Sequence, residues 1–151
     1  HSGVHGGALR NPLQALVQIC STLHDESGKV SVEGFYDDVL EPQAWEREEL
    51  NKLPTSEEEY QKFLGVTRLS PPPGFSALEA IRFSPTLEFN GLGGGYQGEG
   101  SKTVIPAEAF VKITCRLVPN QKSEDIARKV KSSIESSCPE SIKVDVQLEG
   151  G

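Results

Sequence analysis

Apolar positions along the 151-residue chain switch between a helical period and strict alternation, and the switch divides it into elements. After Asn11 and Pro12, the residues Leu13, Leu16, Ile19, Cys20 and Leu23 recur at helical spacing. Asn11 is a good N-cap, and Pro12 fits the first helical position, where its missing N–H costs nothing. Gly28 marks the stop, so the pattern predicts an amphipathic helix over about 12–25. In "KVSVEGFYDDVLEP" Val30 and Val32 alternate, but Gly34 and Pro42 bound the segment tightly, giving a short extended piece and a turn. From Pro42 to Gly65 the chain becomes charged and helical, with Ser56 and Glu59 forming a capping box for "SEEEYQKFLG". "LSPPPG" suits neither a helix nor a central strand, because its prolines lack donors and fix φ. Residues 42–74 therefore read as a helical and proline-rich insertion on the surface of the main fold, its acidic run a solvated helix face.

A short helix is expected near Ala77–Phe83, followed by a strand in "PTLEFNGL" with Leu87 and Phe89 on one face. "GLGGGYQGEGSKTVIP" is rich enough in glycine to read as a loop. In "AFVKITCRLV" Val111, Ile113, Cys115 and Leu117 face one way and Lys112, Thr114 and Arg116 the other. "SEDIARKVKSSIESSCP" reads as a helix with Ser123 as cap, Glu124 and Asp125 in the first turn, and Ile126, Val130 and Ile134 as its apolar stripe. Pro139 ends it, and "SIKVDVQLE" alternates as a further strand. With one more strand ahead of His1, the order becomes βαββαβ. The expected class is α+β, a ferredoxin-like two-layer sandwich with helices on one face of an antiparallel sheet. In that topology the first strand lies between the third and the fourth, so without it the last strand has no direct partner. The chain starts at His1 and contains no methionine, and the expectation is a piece of a longer protein.

Composition narrows the function classes. Hydrophobic content of 36% and charged content of 25% fit a globular domain. A net charge of -7 argues against a nucleic-acid face, which needs clustered Lys and Arg. The sequence has no apolar run of membrane-spanning length, so no membrane partner is expected. Cys20, Cys115 and Cys138 lie far apart with no CxxC pair, against a disulfide framework or zinc ribbon. They favour a reducing compartment, and a cytoplasmic location is expected.

Candidate chemistry is sparse. His1 and His5 stand four residues apart, but Gly3, Gly6 and Gly7 oppose a helix, and no nearby Cys, Asp or Glu completes a metal site. "GGGYQGEGSKT" fails as a phosphate loop, since Ser101 separates Gly100 from Lys102 and a strand follows rather than a helix. It remains either a surface turn or a loop whose amides and Thr103 hydroxyl meet a ligand. Arg116 is either a solvated surface arginine or a fork for a carboxylate, and spacing alone does not separate the two. No serine sits in a GxSxG elbow, and Cys115 on an apolar strand face reads as core. "AFVKITCRLV" lacks the aromatics of an RNA-binding ferredoxin-like sheet.

Four segments in order, "HSGVHGGALRNPLQAL", "GFYDDV", "GSKTVIP" and "RLVPNQ", with "PTLEFNGLGGGY" ahead of the third, resemble the M20 family of zinc exopeptidases, particularly its carnosinase-like dipeptidases and aminoacylase-type members. The resemblance covers nearly the whole chain and is weakest in 42–74. It implies that residues 1–151 are a lid, or dimerisation, domain inserted in a separate catalytic domain of the same polypeptide. That catalytic domain would bind two zinc ions and carry a glutamate general base; no metal ligand is expected in this chain, which alone should be inactive. The resemblance further implies a homodimer acting on dipeptides or N-acyl amino acids. His1 would reach across it to stabilise the oxyanion in the partner's active site. Thr103 and Arg116 match positions that contact substrate, Arg116 at the terminal carboxylate. His5 stands where the family often has an aromatic residue, and no catalytic role is expected of it. The alternative reading is a stand-alone ferredoxin-like module that binds or senses a small metabolite.

Overall fold

The computed structural model of the chain describes residues 2–150. Asn11 begins the first long helix as its chemistry requires: its side chain accepts from the Leu13 N–H at 2.9 Å, with Pro12 in the first turn. This helix, α2 (Pro12–Ser21), follows a single helical turn, α1 (Ser2–His5). It ends short of residue 25 because Thr22 caps it, after which His24 bridges back to Val30 and donates from Nε2 to the Leu87 carbonyl at 2.9 Å. The charged region forms α3 (Ala44–Asn51) and α4 (Glu57–Leu64), the latter opened by the Ser56–Glu59 capping box and closed by Gly65 at φ 69°. Helix α5 (Ala77–Phe83) carries its own box, Ser76 with Glu79. Helix α6 (Ser123–Ser137) is capped one residue earlier than expected, at Lys122, whose side chain makes no capping bond; Ser123 is the first helical residue.

The sheet among the described residues is one antiparallel pair, β1 (Thr86–Gly94) and β2 (Ala109–Arg116). The register runs from Thr86 opposite Arg116 to Gly94 opposite Ala109, with a bulge at Asn90. Leu87, Phe89 and Leu92 share the inner face with Cys115, Ile113 and Val111, while Arg116, Thr114, Lys112 and Phe110 share the outer face with Thr86, Glu88, Gly91 and Gly93. Alternate β2 residues are half-buried and exposed, as the sequence pattern predicted.

Strand β1 runs two residues past the expected strand, into the glycine-rich stretch expected to be a loop. Phe110 supplies the reason: its ring lies where a Cβ on Gly93 would sit, only 2.4 Å from Cε1, so a side chain from the neighbouring strand covers the glycine. The last expected strand differs as well. From Ile142 to Val146 half-buried and exposed residues alternate, yet the segment pairs with no described strand.

The core gathers Leu23, Val30, Val32, Phe35, Leu87, Ile126 and Val130, with Ile113, Cys115, Leu117 and Ile134 packed against it. Strand side chains enter it from the inner face and α6 closes it, which is the one-sided helix layer of an α+β sandwich. Burial of a side chain such as Leu87 or Phe35 contributes about 1.5–3 kcal/mol.

Candidate functional site

The two ends of the β1–β2 hairpin carry different chemistry. At the tip, Gly94, Gly95 and Tyr96 leave β1, and the segment Lys102–Glu108 returns to β2. Lys102, Val104, Pro106 and Phe110 line a shallow cavity of about 430 Å³ there. The loop is braced internally. The Tyr96 hydroxyl donates to the Glu99 carbonyl at 2.9 Å, Gln97 Nε2 donates to the Gly94 carbonyl at 2.9 Å, and Lys102 Nζ lies 5.8 Å from the Tyr96 ring centroid.

Against this loop rests α1. The Ser2 N–H donates to the Thr103 carbonyl at 3.2 Å, so the "HSG" and "KTVIP" segments meet although they lie a hundred positions apart. The glycines around α1 do not prevent a single helical turn. Its closing bond runs from the Gly6 N–H to the Ser2 carbonyl at 3.0 Å, and a Cβ on Gly6 would lie 2.4 Å from that oxygen. Glycine is what lets the chain leave so closely. His5 ends the turn and is exposed; His1 lies outside the described residues. Thr103 is exposed, and its hydroxyl makes no hydrogen bond among the described residues.

Arg116 stands at the opposite end of β2, on the outer face. The guanidinium Nη2 donates to the Ala80 carbonyl at 3.1 Å and the Ser84 carbonyl at 2.8 Å, so it caps the last turn of α5. A guanidinium has five N–H donors, and with two committed here, those on Nε and Nη1 have no partner among the described residues. Just beyond it, Asn120 takes φ 81° and donates from Nδ2 to the Asp38 carbonyl at 2.9 Å. Gln121 Nε2 donates to the Phe35 carbonyl and Lys129 Nζ to the Gly34 carbonyl, each at 2.9 Å. The "RLVPNQ" segment thereby holds the "GFYDDV" turn by its backbone. Asn120, Gln121 and Lys129, the staples of that turn, are not among the residues the sequence singled out; Pro119-Asn120, which suits the two central positions of a tight turn, was the available signal. Hydrogen bonds from Lys129 and Arg128 hold the Asp125 carboxyl below its ordinary value, and Asp125 in turn raises Lys129. Burial pushes the Cys115 and Cys20 thiols up.

Thr103 and Arg116 are thus not brought together. The strand between the tip and Arg116 spans about 20 Å at a rise of about 3.3 Å per residue. No three His, Cys, Asp or Glu residues among those described lie close enough to hold a metal ion. No helix among the described residues is long and apolar enough to cross a membrane.

Comparison with known proteins identifies the architecture. Residues 1–141 match the M20 peptidase dimerisation domain. The Cys-Gly metallodipeptidase of Schizosaccharomyces pombe is 35% identical over 89% of the chain, and the Beta-Ala-His dipeptidase of Rattus norvegicus is 32% identical over 90%. The chain spans 28% of each of those two proteins. Among solved structures, an M20 family metallo-carboxypeptidase from Sulfolobus solfataricus superposes with a TM-score of 0.81 at 39% identity, covering 91% of this chain and 36% of that one. Human carnosine dipeptidase 1 gives 0.81 at 30% identity, covering 91% and 29%. The chain, with its one-sided helix layer, two-ended hairpin and paired motifs, belongs to the M20 peptidase dimerisation domain family.

Proposed function

We infer that this domain, with residues 42–74 as an insertion in it, serves as the lid and dimer interface of a dinuclear zinc peptidase that hydrolyses dipeptides or N-acyl amino acids in a reducing, cytoplasmic compartment. Zinc ions held by the catalytic domain would supply Lewis-acid polarisation of the scissile carbonyl and a lowered pKa for water. This chain's share is to bind substrate and stabilise charge. His1 donates to the oxyanion of the tetrahedral intermediate, Thr103 hydrogen-bonds substrate beside it, and Arg116 takes the terminal carboxylate.

The observation that carries the reading is the Ser2–Thr103 backbone bond, which holds the HSG and KTVIP segments at the hairpin tip. The distance to Arg116 adds a constraint. A fully extended dipeptide spans about 7 Å, far short of the roughly 20 Å along β2, so one substrate does not touch both residues of one subunit. In a two-fold homodimer the constraint disappears: each active site takes Thr103 from one subunit and Arg116 from the other. The outer edge of β1, unpaired among the described residues, and the exposed apolar side chains Leu92 and Val17 suit such a subunit contact.

In the full polypeptide carrying this domain, His1→Ala is expected to lower kcat by about a hundredfold, the scale of one lost oxyanion donor. An unchanged kcat in steady-state dipeptide hydrolysis would overturn the role.

A further inference from the structure

The polar side-chain contacts that segment 42–74 makes beyond itself converge on one short helix. Helix α3 reaches α5 through an Arg47–Glu79 ion pair, and the Arg47 guanidinium lies 5.6 Å from the Phe75 ring centroid. Helix α4 reaches the same element from another side: the Glu57 carboxylate accepts from the Leu78 N–H in the first turn of α5 at 3.1 Å. Glu79 also accepts from the Ser76 N–H at 3.0 Å, so the residue that caps α5 is the one α3 grips. At its other end α5 presents the Ala80 and Ser84 carbonyls to Arg116. Ser84 is itself buried at 5% exposure, so this end of the helix is fixed in the protein and does not fray into solvent.

An arginine on a long exposed side chain loses rotamer freedom when it binds a carboxylate, and pre-ordering it removes that cost. The carbonyls at the end of α5 supply the order, and they also complement the guanidinium charge at a helix C-terminus. We propose that α3 and α4 act through α5 as positioning elements for Arg116, with Arg47 and Glu57 as the positioning residues that set the guanidinium for the substrate's terminal carboxylate. This rests on the reading of Arg116 as the carboxylate-binding residue. It gives the 42–74 segment a role in specificity: it favours substrates with a free C-terminal carboxylate over the same peptides blocked there.

The test uses the full polypeptide and the ratio of kcat/KM for Cys-Gly to that for its C-terminal amide, or the lower bound of that ratio. Arg116→Ala is expected to lower the ratio by about a hundredfold, as for a lost charge-assisted contact. Arg47→Ala and Glu57→Gln are each expected to lower it by about tenfold, the scale of a modest misplacement of a binding group, with Arg47→Lys restoring part of the loss. If Arg116→Ala collapses the ratio while Arg47→Ala and Glu57→Gln leave it at the parent value, the positioning role is wrong and the carboxylate reading stands. If Arg116→Ala leaves the ratio unchanged, the carboxylate reading fails and takes the proposal with it. Equal losses on peptide and amide in the Arg47 and Glu57 variants mean general destabilisation and overturn the proposal. Glu57→Gln keeps shape and size, so the question stays answerable if Arg47→Ala does not fold.

Discussion

Leu87 and Leu92 lie on the same face of the same strand, yet Leu87 is 2% exposed and Leu92 55%. Around Leu87 the sheet is closed by Phe35, Ile126 and Val130, and the neighbouring turn is stapled by Asn120, Gln121 and Lys129. Around Leu92 the backbone is glycine-rich, Phe110 is exposed, and the covering layer stops. One apolar stripe is thus divided: one end packs into the core and the other stays exposed. The difference teaches that alternation in a strand reports which residues share a face, not which part of that face its own chain covers.

The sharpest way to break this comparison is to truncate both leucines. Leu87→Ala is expected to lower the unfolding free energy by about 3 kcal/mol, a core cavity, and Leu92→Ala by less than about 0.5 kcal/mol. Urea denaturation monitored by circular dichroism measures both, and equal losses would mean the tip is packed like the core. A smaller contrast separates the two loops. Asn120→Ala forces a Cβ-bearing residue without a local hydrogen bond into the left-handed region and is expected to cost about 1–2 kcal/mol. Tyr96→Phe removes one exposed hydrogen bond at the tip and is expected to cost a few tenths of a kcal/mol, about the scale of surface changes.

The smallest expected effect is an acid limb at the stapled end. The folded-state pKa of Asp125 lies below its ordinary 3.8, so its contribution is in force above that value and fades as pH falls through the lowered pKa. Asp125→Asn should flatten the fall of melting temperature below about pH 4, and an unchanged acid limb would show that the Lys129–Asp125 pair adds nothing.

Much of this architecture is readable from the chain alone, for reasons that differ by element. Asn11-Pro12 and the Ser56–Glu59 box act within one helical turn, so local chemistry suffices to mark α2 and α4. The β2 alternation is equally local. The end of β1 was hidden because Gly93–Gly95 reads as a loop until Phe110 from the next strand is placed over Gly93. Val30, Val32 and Phe35 show too little periodicity to announce themselves as core, and only their packing on Leu23 and Leu87 makes them so. The site divides in the same way. Thr103 and Arg116 were nominated by motif, but their placement at opposite ends of β2 depends on the strand register. The grip of α5 on Arg116 spans more than thirty residues, and no spacing rule reaches that far.

Whether one subunit's two hairpin ends serve different active sites, as proposed, is tested by one mixing experiment. Thr103→Ala and Arg116→Ala variants of the full polypeptide, each nearly inactive alone, are unfolded, mixed in equal amounts and refolded together. If the two residues act on different sites, half of the dimers are mixed, and each mixed dimer regains one site with both native residues. Hydrolysis then recovers to about a quarter of the wild-type rate, given two-fold pairing at random. If both residues act on the same site from one subunit, no site regains both, and the mixture stays at the level of the separate variants.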